Sequence, residues 1–182
     1  MSRRKKQLWV SLVATVTVFS VGLAFAVATF AFPKTDLPQK TDVVLVLGPA
    51  TGDRIALAES MMDEGLSKNL MVSVGASKYA NDPSHVCSKK VSYTVYCAVP
   101  SPFTTQGEAE WLQRMTREHG WTSATVITFR PHVNRARTII GRCFSGDLDM
   151  VAVTTPLSPL DWAYQFVYQS AALIKVALTP DC

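Results

Sequence analysis

Net charge is almost absent from the sequence after its first six residues. Of its 18 Lys and Arg residues, four lie at positions 3–6, which leaves 14 basic against 14 acidic residues in the remainder. A nucleic-acid-binding domain normally carries a basic face on its folded part. We therefore expect no nucleic-acid partner, although the overall net charge of +4 would by itself suggest a basic protein.

Metal-binding and cofactor-binding patterns are also lacking. The three histidines, His85, His119 and His132, show none of the paired spacings typical of zinc ligands. No C-x-x-C pattern indicates thiol redox chemistry, and the sequence has no internal repeat or low-complexity tract. We therefore expect neither a metal nor a cofactor.

Charged residues are missing from one long segment, which runs from Leu8 to Phe32. At about 1.5 Å rise per residue, a helix of this length can cross a bilayer core of roughly 30 Å. A basic tail at 1–7 precedes it, so the positive-inside rule places the N-terminus in the cytoplasm and the chain from Pro33 onward outside the membrane. The sequence thus predicts a single-pass cell-membrane protein with an extracytoplasmic domain.

A cleaved signal peptide is the alternative interpretation of this run. Ala24, Ala26 and Ala28 provide small residues at the A-x-A-like spacing of a signal-peptidase site. The apolar regions of signal peptides are usually only about 7 to 15 residues long, however. The length of the run therefore favours a retained anchor.

All four cysteines, Cys87, Cys97, Cys143 and Cys182, follow the apolar run. In an oxidising compartment, an even number of cysteines favours disulfides. Of the three possible connectivities we prefer Cys87 with Cys97, which flank one segment, and Cys143 with Cys182, which would tie down the C-terminus. Buried free thiols are the alternative.

Apolar runs of strand length alternate with helical patterns after a polar, proline-containing linker at 33–41. This alternation predicts an α/β domain at 42–182 with a doubly wound, mostly parallel sheet. Helix caps are predicted at Asp53, at Thr105 with Glu108, and at Ser158 with Asp161. Strands are predicted at 42–47, 69–75, 91–99, 123–129 and 148–153, helices at 53–65, 105–120, from about 134, and 158–178, and a long polar stretch at 76–90.

The order of strands and helices also predicts where a ligand binds. In open α/β sheets the binding crevice lies outside the carboxyl ends of the strands, near helix N-termini that favour anions. The glycine and polar residues at these positions form the candidate site: Gly48, Thr51, Gly52, Asp53, Arg54, Ser73, Gly75, Thr105, Glu108, Thr128, Arg130, His132, Asn134 and Arg135.

Basic residues are concentrated in TFRPHVNRAR, at positions 128–137. Arg135 lies in the first turn of the predicted helix, where a cation is unfavourable unless an anion offsets it. Together with Arg130 in the preceding loop, it is predicted to hold an anionic ligand. Arg137 and Arg142 are interpreted as solvated residues of the helix surface.

His132, within the same segment, is the candidate general acid or base because its ordinary pKa of about 6.5 suits proton transfer near neutrality. Asp53 or Glu108 is its predicted orienting partner. Nothing in the sequence supplies an obvious nucleophile.

Four sequence blocks, in a fixed order, carry a family resemblance: DVVLVLG, DRIALAESMMDEGLSKNLMVSVG, TTQGEAE and VITFRPHVNRA. Over about residues 42–153 the chain resembles the YdcF/SanA/ElyC-like family of bacterial envelope proteins, a domain of unknown function. The resemblance implies a Rossmann-like fold, often behind an N-terminal anchor, and a role in envelope integrity or in peptidoglycan-precursor or lipid-carrier metabolism. The site residues that it implies are Gly48, Asp53, Arg54, Ser73, Gly75, Thr105, Glu108, His132 and Arg135.

The sequence departs from the family pattern at four places. Pro49 replaces a usual second glycine, Val74 interrupts a usual Ser-Gly-Gly, Arg130-Pro131 replaces a small and an aromatic residue, and Gln169 stands where we expect an acid. The resulting expectation is a protein that binds an anionic, phosphorylated envelope precursor, either a small molecule or a lipid-linked one. It acts as an enzyme or, alternatively, as a non-catalytic binding or scaffolding module with envelope protein partners.

Overall fold

The computed structural model describes residues 3–75, 86–180 and 182. The strands are β1 Val43–Val46, β2 Asn69–Ser73, β3 Thr94–Ala98, β4 Ser123–Phe129 and β5 Asp147–Val153. The helices are α1 Arg3–Ala26, continued by a π-helical turn at Val27–Ala31, α2 Gly52–Asp63, α3 Thr105–His119, α4 Val133–Cys143 and α5 Pro159–Leu178. A 3₁₀ turn at Arg130–His132 precedes α4.

The five strands form one sheet in the order β3-β2-β1-β4-β5, and every neighbouring pair is parallel. All residues of β1 are buried, with Val43 and Leu45 in the core under α3 and α4 and Val44 and Val46 in the core under α2. Helices therefore cover both faces, which confirms the predicted parallel α/β sheet of Rossmann-like type. Of the predicted polar stretch, residues 76–85, including His85, lie outside the described residues.

The chain changes direction across the sheet between β1 and β4. From β1 it continues to β2 and β3 on one side, and it then crosses back through α3 to β4 and β5 on the other. The loops that follow β1 and β4 consequently run in opposite directions and leave a crevice between them, which is where open α/β sheets bind ligands.

Helix caps agree with the sequence in one helix and differ in two. Ser158 and Asp161 form the predicted capping box of α5, with Ser158 Oγ accepting from the Asp161 N–H at 3.2 Å. The predictions for α2 and α3 were wrong by one or two positions, because Thr51 and Thr104 are the N-cap residues there. Glu108 therefore does not cap α3.

Both predicted disulfides are present, Cys87–Cys97 and Cys143–Cys182. The second bridge joins the end of α4 to the last residue of the chain, so it fixes the segment that contains β5 and α5. The preferred connectivity is confirmed.

The linker after α1 is held against the domain by Asp36. The Asp36 N–H donates to Met150 O at 2.8 Å, its carboxylate accepts from the Met150 N–H at 2.8 Å, and it forms an ion pair with Arg137 at 2.8 Å. Burial raises the pKa of Asp36, but these bonds outweigh burial and hold the pKa below its usual value. Arg137 is therefore ion-paired with Asp36, whereas the sequence predicted a solvated residue of the helix surface.

Helix α1 with its π-helical turn is the one helix among the described residues that is long and apolar enough to cross a membrane. Its residues are exposed up to Phe25, whereas Phe30, in the π-helical turn, is 1% exposed. The Phe30 ring lies 6.4 Å from the Phe166 ring of α5, and Asn134 Nδ2 of α4 donates to Thr29 O at 2.8 Å. The end of the apolar helix is therefore packed against the domain.

Candidate functional site

A pocket of about 900 Å³ lies in the crevice between the loops that follow β1 and β4. It is bounded by the β1 loop, the start of α3, the 3₁₀ turn with the start of α4, and one face of α5. Five of the predicted site residues line it: Gly48, Thr105, Glu108, His132 and Arg135. The fold thus brings together residues from three separate strand-to-helix connections.

Glu108 joins α3 to the loop after β1. Its Oε1 accepts a hydrogen bond from the Gly48 N–H at 2.7 Å, and the residue is only 4% exposed. Burial raises the pKa of Glu108, while the Gly48 N–H and the charges of Arg54 and Arg135 act in the opposite direction. A buried carboxyl with a raised pKa, on the wall of a pocket, is a candidate for proton transfer.

Ser73, at the end of β2, lies beside this carboxylate. Its buried hydroxyl favours the charged form of Glu108, but it has no partner at normal hydrogen-bond geometry. A Cβ at Gly48 would lie 3.1 Å from Ser73 Oγ and 3.3 Å from Glu108 Oε1. A side chain at position 48 would therefore press on both polar groups, and each would have to shift by a few tenths of an ångström.

His132 is held by two hydroxyls. Its Nδ1 lies 2.9 Å from Thr128 Oγ1 and its Nε2 lies 3.3 Å from Thr105 Oγ1. Burial lowers the pKa of His132 well below 6.5, and the charges of Arg135 and Arg54 lower it further. The ring is consequently neutral at physiological pH, and two threonines orient it in place of the expected carboxylate.

Arg135 presents a half-buried cation to the pocket. Its Nε donates to Gln169 Oε1 at 3.0 Å, and its guanidinium lies 5.7 Å from the centre of the Tyr168 ring. Burial lowers the pKa of Arg135, and Tyr168 and Glu108 raise it. Ion pairs within the described part of the chain are Lys89–Glu59 and Arg137–Asp36, so no carboxylate there forms one with Arg135.

Two further cations and several residues of α5 line the pocket, although they are not among the site residues predicted from the sequence. Arg142 was interpreted as a solvated residue, but it lines the pocket and its Nη1 donates to Val176 O and Thr179 O, both at 2.9 Å. It follows Arg135 by two helical turns, a spacing that places both on one face of α4 and that could have identified it. Lys175 of α5 is the third cation of the lining.

Arg130 and Asp53 lie outside the pocket lining. Arg130 directly follows β4, and Asp53 is in the first turn of α2. Arg130 Nη2 donates to Thr154 Oγ1 at 2.7 Å. The Asp53 carboxylate accepts from Thr155 Oγ1 at 2.6 Å and from the Thr51 hydroxyl. Both side chains therefore bond to the segment that directly follows β5, and neither contacts His132.

Arg54 is buried behind the pocket wall. Its Nη1 donates to Leu47 O at 3.0 Å and to Pro49 O at 2.9 Å, and its guanidinium lies 5.2 Å from the centre of the Phe129 ring. These bonds fix the backbone that carries Gly48, whereas its buried Nε has no partner.

The remaining candidates also lie outside the lining. Thr128 and Ser73 are buried behind it, Asn134 contacts Thr29, and Thr51, Gly52 and Gly75 are exposed. Among the described residues, no group of three His, Cys, Asp or Glu side chains could hold a metal ion. No protein-family model and no curated protein matches the chain.

Proposed function

We propose that this chain is a membrane-anchored protein whose pocket binds an anionic, phosphorylated envelope precursor on the extracytoplasmic side. The observation that carries the proposal is the charge of the pocket. Arg135, Arg142 and Lys175 line it, against Glu108 as its one carboxylate among the described residues. A lining with this excess of cations, in the crevice where such sheets bind ligands, favours an anion.

The location is supported by the first helix and the disulfides. The helix Arg3–Ala31 begins with the basic residues at 3–6 and continues as an apolar run, an arrangement that favours a cytoplasmic N-terminus and an exported domain. Two disulfides are typical of a protein that matures in an oxidising compartment. The resemblance to the YdcF/SanA/ElyC-like family also favours an envelope role.

Binding of inorganic pyrophosphate and of a short-chain prenyl phosphate to the full chain in lipid nanodiscs tests this proposal by calorimetry. A lost charge-assisted hydrogen bond costs about 1.5–3 kcal/mol, so Arg135→Ala should weaken binding by about 10-fold or more. Arg135→Lys, which keeps the charge but not the planar fork, should fall between this variant and wild type.

Arg114→Ala is the matched control, because Arg114 is exposed on α3 and outside the pocket lining. Its affinity should equal that of wild type. Wild-type protein that binds neither probe, or an Arg135→Ala variant with unchanged affinity, would contradict the proposal.

An enzymatic role and a purely binding role make different demands on Glu108. If the pocket processes its ligand, Glu108 is the best acid or base because its pKa is raised and it lines the pocket, whereas neutral His132 is held by two threonines. The described lining includes no serine or cysteine side chain, so an enzyme here would use water or another lining side chain as its nucleophile.

Glu108→Gln separates the two roles, since its amide oxygen can still accept from the Gly48 N–H while proton transfer is lost. For an enzyme, this variant should lose turnover of the bound phosphate compound and keep its binding. A wild-type protein that binds the compound and leaves it chemically unchanged is a binding module.

A further inference from the structure

Helix α5 carries an exposed apolar stripe. Its members recur at the spacing of one helix face: Leu160, Tyr164, Val167, Ala171, Ile174 and Leu178. Val167, Ile174 and Leu178 are 73%, 63% and 76% exposed. At 1.5 Å per residue the stripe is about 27 Å long, and an apolar surface of this continuity normally has an occupant.

The composition of α5 identifies the kind of surface that suits it. In 20 residues it has two charged side chains, Asp161 in the first turn and Lys175 near the end. Trp162, Tyr164 and Tyr168 are aromatic residues with a polar group, the type that is enriched where a membrane meets water. Only Gln169 and Val176 of this helix are buried in the domain.

Continuity with the apolar N-terminal helix indicates which surface this is. A bilayer core of roughly 30 Å takes about 20 helical residues, so a span that begins near Leu8 ends near Val27. The turn Val27–Ala31 then lies at the outer boundary of the membrane, and it is there that Phe30 contacts Phe166. Phe166 is the neighbour of Val167, so the stripe lies beside the point where the chain leaves the bilayer.

Contacts on both sides of this junction fix the domain close to the membrane. Asn134 is bonded to Thr29 O, and the linker is tied to β5 through Asp36 and Met150. No long free linker therefore separates the membrane span from the domain, because the chain contacts the domain from Thr29 onward.

We propose that the exposed stripe of α5 lies in the interfacial layer of the same bilayer that α1 crosses. The helix is then an interfacial one, with its apolar side chains among the lipid headgroups and upper acyl chains. Tyr164 and Ala171 belong both to the stripe and to the pocket lining, so the pocket opens beside the lipid. The membrane contact itself does not depend on which ligand the pocket binds.

Fluorescent labels on the full chain in phospholipid vesicles test this contact. Val167→Cys and Ile174→Cys, one heptad apart and both exposed, each receive an environment-sensitive label while the native cysteines stay in their disulfides. Ala56→Cys is the control, since Ala56 is exposed on α2, across the sheet from α4 and α5. We expect blue-shifted emission and quenching by lipid-attached nitroxide at 167 and 174, and water-like emission at 56.

Two other outcomes overturn the proposal. Labels at 167 and 174 that are quenched by aqueous iodide as strongly as the label at 56 show that the stripe is in water. Labels that are shielded from iodide but not quenched by the lipid nitroxide, with cross-linking between chains, show that a second copy covers it.

Discussion

At the scale of single residues, the pocket contains a carboxyl and an imidazole whose pKa values are shifted toward their uncharged forms. Burial is the largest cause for both, raising the pKa of Glu108 and lowering that of His132. Against the cations Arg135, Arg142 and Lys175, Glu108 is the one carboxylate among the described lining residues. Because burial disfavours the charged form of this carboxylate, it also favours an anion beside the three cations.

His132 should make the stability of the protein depend on pH. It stays neutral in the folded chain, whereas in the unfolded chain it gains a proton near its usual pKa of 6.5. Its contribution is thus fully present above pH 6.5 and is lost as the pH falls from there through the lowered folded-state pKa, with a slope of up to about 1.4 kcal/mol per pH unit. Urea unfolding of wild type and His132→Gln at several pH values measures the difference.

The His132→Gln variant should show a flatter dependence than wild type below pH 6.5. Glu108 acts in the other direction, because its raised pKa stabilises the protein at low pH and that contribution is lost as the pH rises from 4.5. Both proteins contain Glu108, so their difference isolates His132. Parallel curves for the two proteins would rule out the buried neutral ring.

At the scale of elements, the sequence predicted the sheet well and the helix packing less well. Each strand contains a short apolar run, and all five predicted strands are present. The N-cap of α3 was misjudged by one residue because two adjacent threonines, Thr104 and Thr105, both fit a cap, and Glu108 accepts from the Gly48 N–H instead of completing a capping box. The role of α5 in the pocket depends on packing between distant segments, which no local pattern encodes.

The junction between the apolar N-terminal helix and the domain predicts different behaviour for two phenylalanines of that segment. Phe30 is buried against Phe166, whereas Phe25 is 68% exposed. Because truncation of a buried phenylalanine costs about 3–5 kcal/mol, Phe30→Ala should open the contact. We expect amide hydrogen exchange in the 3₁₀ turn and α5 to become at least about tenfold faster in nanodiscs, with no change for Phe25→Ala. Equal exchange in the two variants would show that the domain is not fixed at the junction.

At the scale of the whole molecule, the site was predictable in location and less so in membership. In a parallel sheet the carboxyl ends of all strands lie at one edge, so the loops containing Gly48 and His132 could be placed at the same edge. Side-chain direction could not be read from the sequence: Arg135 points into the pocket, while Arg130, five residues earlier, bonds to Thr154. Local spacing gives a residue's position on an element, but the neighbours that attract its side chain come from elsewhere in the fold.

The two disulfides should contribute unequally to the stability of the domain. Cys143–Cys182 closes a loop with a sequence separation of 39, against 10 for Cys87–Cys97. In the chain-entropy account, restriction of the unfolded state grows with loop length, which gives about 4 kcal/mol for the longer loop and about 3 kcal/mol for the shorter one.

Double Cys→Ala variants of each pair, compared by urea unfolding under non-reducing conditions, measure this difference, and each variant serves as the control for the other. The longer bridge also retains the C-terminal end of α5 beside Arg142, which donates to Val176 O and Thr179 O. Loss of Cys143–Cys182 should therefore also weaken pyrophosphate binding, whereas loss of Cys87–Cys97, whose residues do not line the pocket, should leave it unchanged. A larger stability loss from the shorter bridge would contradict the loop-length account, and unchanged pyrophosphate binding without the longer bridge would show that α5 keeps its place without it.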